Sequence, residues 1–306
     1  MNIAYTDQSM KVEFILLSLE NNSFARRIIM VQNSEQDALI GKHPSCDDEV
    51  FHIWLNCKDT DCKSNKKHRA LSEKDGKRDS IISEVADWLI NYHMSGRKYE
   101  QLKNKKRILE KYDFKDFAEQ LHIFPYADKT RKGNLAEVIL SEYLQVTSGV
   151  QVLIYKLRYN PNIDQSMKGD DVLLVNEKRI LIGESKYRGT SNKQVVENVS
   201  QNFADHLTLP ISLSFIADRL FEEKKFESAA LVSKIEEELP LNGFDIVNVG
   251  FILSDFSASR SVEKNMDSNN PKFLMLTLNI ENPFEFMEQA FDLAQKRLEG
   301  DFEYDL

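Results

Sequence analysis

Three stretches carry residue types whose spacing could do chemistry. Lys168-Gly-Asp-Asp-Val-Leu-Leu-Val175 sets a carboxylate at the mouth of an apolar run, and Leu181-Ile-Gly-Glu-Ser-Lys-Tyr187 ends a second run in Glu-x-Lys. On a strand, residues i and i+2 face the same way, so Glu184 and Lys186 project together while Ser185 points opposite. The turn-like Asn176-Glu-Lys between the runs predicts a hairpin, which brings Asp171 near Glu184. Two hard carboxylates beside a main-chain carbonyl can hold one or two Mg2+ ions that activate water and stabilise a phosphorane-like transition state. Lys186 would orient the attacking water or neutralise developing charge. The third stretch, a helix containing Asn134-Leu-Ala-Glu137, offers Glu137 to complete the acidic cluster.

Each assignment has a competitor. Asp170 and Asp171 face opposite sides if the strand has already begun, and either could be the metal ligand. Glu142 competes with Glu137 but lies about 140° round the helix. Asn134-x-x-Glu137 also matches a capping box, so Glu137 is equally a helix cap or a ligand. Glu-x-Lys alone occurs on exposed strands as a plain ion pair. The second cluster, His43, Cys46, His52, Cys57, Cys62 and His68, suggests zinc, yet only Cys57-x4-Cys62 has a ligand-like spacing, and half-buried thiols with loop histidines explain it as well. The Lys/Arg run at 97–107 is a solvated helix face by default and a phosphate-contacting surface otherwise. No P-loop, dinucleotide fingerprint, Gly-x-Ser-x-Gly or His-Glu-x-x-His motif is present, which argues against NTP hydrolysis, serine-hydrolase and zincin chemistry.

The elements that must position these residues follow from apolar periodicity. Strands are expected at 11–19, 27–31 and 50–55, then a basic surface excursion at 57–79. Helices are expected at 80–94, where Ile81, Ile82, Val85, Leu89 and Ile90 form one face, at 98–112 and at 114–123. Pro125 marks the expected boundary between an N-terminal α+β domain, 1–125, and a second domain, 126–306. The latter begins with a helix capped by Asn134, followed by a strand at 150–159, the hairpin, a helix capped by Ser191, and a polar helix at 220–239. Strands at 245–253 and 273–280 and a helix at 283–298 complete it.

With 306 residues, 42 % hydrophobic and 29 % charged, the chain has the composition of a globular protein with a sizeable core. No apolar run approaches the ~18 residues of a spanning helix, and no signal peptide is evident, so a cytoplasmic protein is expected. Three cysteines read as free thiols rather than a disulfide framework. The net charge of −9 is uneven: residues 61–132 carry 18 Lys and Arg against 12 acids, whereas 133–306 carry 17 against 28. Bulk charge thus argues against nonspecific nucleic-acid binding, while the basic middle leaves room for a local phosphate-facing surface.

These residues and their order resemble the PD-(D/E)xK nuclease superfamily. Its core-helix Glu, its second-strand Asp and its D/E-x-K are matched by Glu137, Asp171 and Glu184-Ser-Lys186. More narrowly, Gly133-Asn-Leu-Ala-Glu-Val-Ile-Leu-Ser-Glu-Tyr-Leu144 and the two strand motifs resemble the HamA family, nuclease subunits of Hachiman-type anti-phage defence. The resemblance implies an α/β fold with a restriction-endonuclease-like core, a mixed sheet flanked by helices. It also implies a Mg2+-dependent deoxyribonuclease in which Mn2+ can substitute. Asp171, Glu184 and Glu137 would be the metal ligands, Lys186 the catalytic lysine, DNA the substrate, and a HamB-like superfamily 2 helicase the partner, without a membrane. A noncatalytic DNA- or partner-binding subunit and a stand-alone restriction or repair nuclease remain the alternatives. The N-terminal domain would dock the partner or gate the site.

Overall fold

The computed structural model describes residues 34–60, 66–119, 121–241 and 243–303. The strands expected at 11–19 and 27–31 lie outside these residues. Six strands are described: β1 (Leu55–Asp59), β2 (His68–Glu73), β3 (Val172–Val175), β4 (Arg179–Tyr187), β5 (Asp245–Ser254) and β6 (Phe273–Asn279). They form one mixed sheet in the order β1-β2-β6-β5-β4-β3. β2, β6, β5 and β4 run parallel, and β1 and β3 close the two edges antiparallel. β5 and β6 are buried along nearly their whole length, as parallel strands covered on both faces must be, whereas β2 is mostly polar and only half buried.

Helices cover both faces. Leu181, Tyr187, Val249, Phe251 and Leu276 point into a core with α1 (Glu35–Ile40), α2 (Val50–Trp54), α3 (Arg78–His93), α6 (Asp128–Ser148) and α11 (Pro283–Glu303). Ile180, Ile182, Ile246 and Ile252 point the other way, toward α7 (Lys193–Ser200), α8 (Leu213–Glu222), α9 (Phe226–Glu238) and α10 (Ser257–Asn265). α4 (Gly96–Lys111) and α5 (Lys115–Glu119) follow α3. The result is the α/β fold indicated by the sequence. β2, upstream of Pro125, pairs with β6, downstream of it, so residues on both sides of the expected boundary share one sheet and one core. Among the described residues, no helix is long and apolar enough to cross a membrane.

Several local expectations are corrected. Residues 50–54 are helical, and the strand begins only at Leu55. A five-residue aromatic and β-branched run fits either state, and here Phe51 and Trp54, one helical turn apart, are both buried against rings from three helices. The supposed surface excursion contains β2, whose His68 and Arg69 are buried. Residues 150–159 form no strand, because Val150, Ile154 and Leu157 are drawn into the two cores and Lys156–Tyr159 is a 3-10 turn. The helix expected to start at Asn134 starts at Asp128, where Ala127 in the cap position offers no side-chain signal. Asn192, not Ser191, caps α7 by accepting the Val195 N–H at 3.2 Å. The polar helix at 220–239 is broken between α8 and α9, where Lys224 takes a φ of 62°. α10 carries no clear sequence signal.

Asn134, freed from capping, has a different task. Its amide donates to His93 Nε2 at 2.9 Å, and His93 Nδ1–H donates to the Leu89 carbonyl at 2.8 Å. Charging this imidazole would set donor against donor, and burial holds its pKa down to about 4; the same burial acts on His68. The unfolded chain takes up these protons near pH 6.5, whereas the native state refuses them until about 4, so stability is full above 6.5 and falls as pH drops through that window. Each histidine contributes up to about 3 kcal/mol to the loss. Urea unfolding at pH 7.5 and 4.5 should show it, and His93→Gln should flatten the difference; an unchanged pH slope would refute the assignment.

Candidate active site

Two glycines and a hairpin build the site. A Cβ at Gly183 would stand 2.7 Å from Leu140 Cδ2 and 3.0 Å from Val172 Cβ, so glycine lets α6 lie directly on β4 just before Glu184. Gly250, paired with Glu184 across the β4–β5 ladder, would likewise meet Met275 Sδ at 2.4 Å and Val199 Cγ1 at 2.7 Å. Val172 pairs with Gly183, and one step further along that register sets Asp171 opposite Glu184.

The structure separates the two aspartates. Asp170 Oδ2 accepts the N–H groups of Ile211 and Ser212, both at 3.0 Å, and its own N–H donates to Ser212 Oγ, which ties it to the loop before α8. Asp171 Oδ2 instead accepts the Ser185 N–H at 2.9 Å and the Ser185 hydroxyl at 3.3 Å, taking over a ladder bond where β3 ends. It faces Glu184, whose pKa is raised first by burial and then by the Asp171 charge. Glu184 and Lys186 form an ion pair on the strand face that carries Ile180 and Ile182.

Glu137 approaches from α6, on the opposite face, round the edge strand β3. Its side chain is 14 % exposed and ion-paired with Lys156 Nζ, 3.1 Å from Oε2, although that oxygen receives no hydrogen bond. Burial pushes its pKa up to about 7; Lys156 opposes the rise, and the charges of Asp171 and Glu184 add to it. All four predicted residues therefore belong to one electrostatic cluster. Glu142 does not: it turns to Gln145 and Tyr92.

Lys156 was not among the sequence candidates. Its ammonium lies between Glu137 and the main-chain carbonyl of Asp170, to which it donates at 2.7 Å. A single cation within the apolar Leu153-Ile-Tyr-Lys-Leu157 is the signal that could have found it, since a lysine there must either reach water or meet a carboxylate. Tyr92, Glu137, Lys156, Asp170, Asp171 and Phe215 line a cavity of about 80 Å³. That is far below the ~300–1,000 Å³ of organic-ligand pockets and suits an ion with its waters.

Among the described residues, no group of three or more His, Cys, Asp or Glu side chains is arranged to hold a metal ion, and Glu137 and Glu184 are each paired with a lysine. The donor types, three carboxylates and a nearby main-chain carbonyl, are those a hard divalent ion such as Mg2+ takes. The zinc-like cluster is dispersed. His43 meets Tyr143, His52 meets the Pro44 carbonyl, His68 meets Thr277, Cys46 is exposed, Cys57 is half-buried, and Cys62 lies outside the described residues.

The HamA family model matches residues 48–294, a span that contains the whole of this cluster. The chain belongs to the HamA family. It is also 49 % identical over 269 residues to the Hachiman protein HamA of Bacillus cereus, a match covering 88 % of this chain and 98 % of that relative. The HamA match starts upstream of Pro125 and takes in β1, β2 and α3, so what defines the family extends beyond the hairpin to the elements that flank it.

The Lys156–Glu137 pair makes a pH-dependent prediction. At pH 5.5 native Glu137 holds its proton and needs no cation, whereas at pH 8.5 it is ionised and does. Lys156→Met should therefore lower the melting temperature at both values, through the lost bond to Asp170, and by several degrees more at pH 8.5. An offset identical at both would show that the pair is not coupled.

Proposed function

We propose that this HamA-family protein is the metal-dependent DNA nuclease of a Hachiman anti-phage defence system and acts with a superfamily 2 helicase. The observation that carries the reading is the facing of Asp171 and Glu184 across the β3–β4 edge, with Lys186 beside Glu184 and Glu137 coupled to both carboxylates. The order α6, β3, β4, α7, β5 supports a PD-(D/E)xK core, although the strand expected from composition at 150–159 is absent.

In this reading Asp171, Glu184 and Glu137 would hold Mg2+, which when bound supplies Lewis acidity and an activated water. The protein's own residues do the rest. Ser185 fixes the Asp171 carboxylate, Gly183 and Gly250 fix the height of β4 against its neighbours, and Lys186 supplies a positive charge where negative charge develops. Lys156 opposes the rise that burial imposes on the Glu137 pKa, so that near neutral pH, close to its value of about 7, part of the carboxylate is ionised. The acidic balance of the chain, −9 overall, is consistent with a partner that contributes much of the affinity for DNA. The test is Mg2+-dependent cleavage of supercoiled plasmid and of single-stranded DNA, by the protein alone and with any helicase that co-purifies. If metal binds but no preparation cuts, the noncatalytic-subunit reading gains.

A further inference from the structure

α4 is a sixteen-residue helix with no buried residue. Tyr99 and Leu102, near its start, lie against the core, and beyond them the helix packs chiefly on the short α5. It carries seven Lys and Arg against two Glu, in a chain whose net charge is −9. Beside this charge stand large apolar side chains that solvent reaches freely: Ile108 is 52 % exposed, Tyr112 65 %, Phe114 53 % and Phe117 58 %. Folding has no use for this arrangement. A surface helix ordinarily turns its apolar residues inward, and apolar side chains gathered into one exposed patch mark an interaction site.

The helix is also joined to the candidate site. It starts three residues after His93, at the end of α3, whose Tyr92 lines the cavity. Lys98 Nζ donates to the Arg158 carbonyl at 3.2 Å, in the same 3-10 turn that carries Lys156. From that anchor α4 extends about 20 Å to Lys111. The acidic groups nearby, Asp116 and Glu119, border a surface depression with His122 and Tyr126, and so bound the basic face on the α5 side.

We propose that α4 and α5 form the track that holds a single-stranded nucleic acid and feeds it to the Glu137–Asp171–Glu184 site. Arg107 and Lys111, one turn apart on one face of α4, meet successive phosphates, and Tyr112, Phe114 and Phe117 stack on unpaired bases, the combination by which proteins hold single strands without reading sequence. Duplex DNA, with its bases already stacked, offers the rings nothing. This inference rests on the nuclease reading and deepens it by naming the strand state of the substrate.

Binding can be measured apart from cutting. Fluorescence anisotropy of a labelled 20-nucleotide single strand in EDTA should show Arg107→Glu/Lys111→Glu weakening binding at least tenfold and flattening the salt dependence by about 1.5 in log–log slope. Phe114→Ala/Phe117→Ala should weaken the single strand at least fivefold and leave a duplex of the same length unchanged. Because none of these side chains is buried, the variants should melt with the wild type. Unaltered single-strand affinity in both variants overturns the proposal. So does intact strand binding with loss of a co-purifying protein or of anionic vesicles, which would make α4–α5 a protein- or membrane-docking face. Glu184→Gln separates the two levels: strand binding by wild type and by this variant, with no cleavage by either, would sink the nuclease reading and leave the track standing.

Discussion

Lys186→Ala is expected to cut single-stranded DNA roughly a hundred- to a thousandfold more slowly than wild type, while melting at the same temperature. The size follows from the loss of one preorganised positive donor at a centre of developing charge. The stability argument is separate. Lys186 is 29 % exposed and Glu184 23 %, so their ion pair sits where water screens it and contributes on the order of 1 kcal/mol or less. Glu184→Gln and Asp171→Asn should be as inactive for another reason, because each would remove a charged oxygen from the proposed Mg2+ ligands. Mn2+ titration followed by calorimetry tells the roles apart: Lys186→Ala should still bind the ion, and both carboxamide variants should bind it at least tenfold more weakly. Lys186→Ala cleaving at the wild-type rate would remove the lysine from the chemistry, and unchanged Mn2+ binding in Glu184→Gln would remove the metal assignment.

The part of this cluster legible in the sequence is the part written in local spacing. Asp171, Glu184 and Lys186 sit on one hairpin, and its short turn and apolar runs fix their register before any tertiary contact forms. Glu137 could be placed on a helix but not given a role, since Asn134-x-x-Glu137 looks like a cap until Asn134 is seen bonded to His93, 41 residues earlier. Lys156 was hidden because its partners, Glu137 and the Asp170 carbonyl, lie 19 and 14 residues away on other elements. The same limit explains β2. Lys-Lys-His-Arg-Ala-Leu-Ser-Glu-Lys looks polar, and only partners far off in sequence turn it into the interior strand that joins β1 to the parallel sheet. Propensity has no term for a charge that is neutralised from elsewhere.

Those partners carry the largest expected effect on stability. Arg69 is 1 % exposed, and its guanidinium is fully engaged. It donates to both oxygens of Asp59 at 2.7 and 2.8 Å, to Asp37 at 2.7 Å and to the Gly41 carbonyl at 2.8 Å, so β2 is fastened to β1, to α1 and to the turn that follows α1. Removing a partner from a buried charge costs about 3–5 kcal/mol, because the remaining ion can neither reach water nor lose its proton. Asp59→Ala should fall in that range by urea unfolding. Arg69→Met should cost less, since Asp59 and Asp37, about 20 % exposed, can turn to solvent once the guanidinium is gone. The double variant Asp59→Ala/Arg69→Met should be more stable than Asp59→Ala alone, an ordering that loss of packing could not give. If Arg69→Met proves the more damaging of the two single changes, the guanidinium acts as a packed side chain, and the ion pairs are not what holds β2 in the sheet.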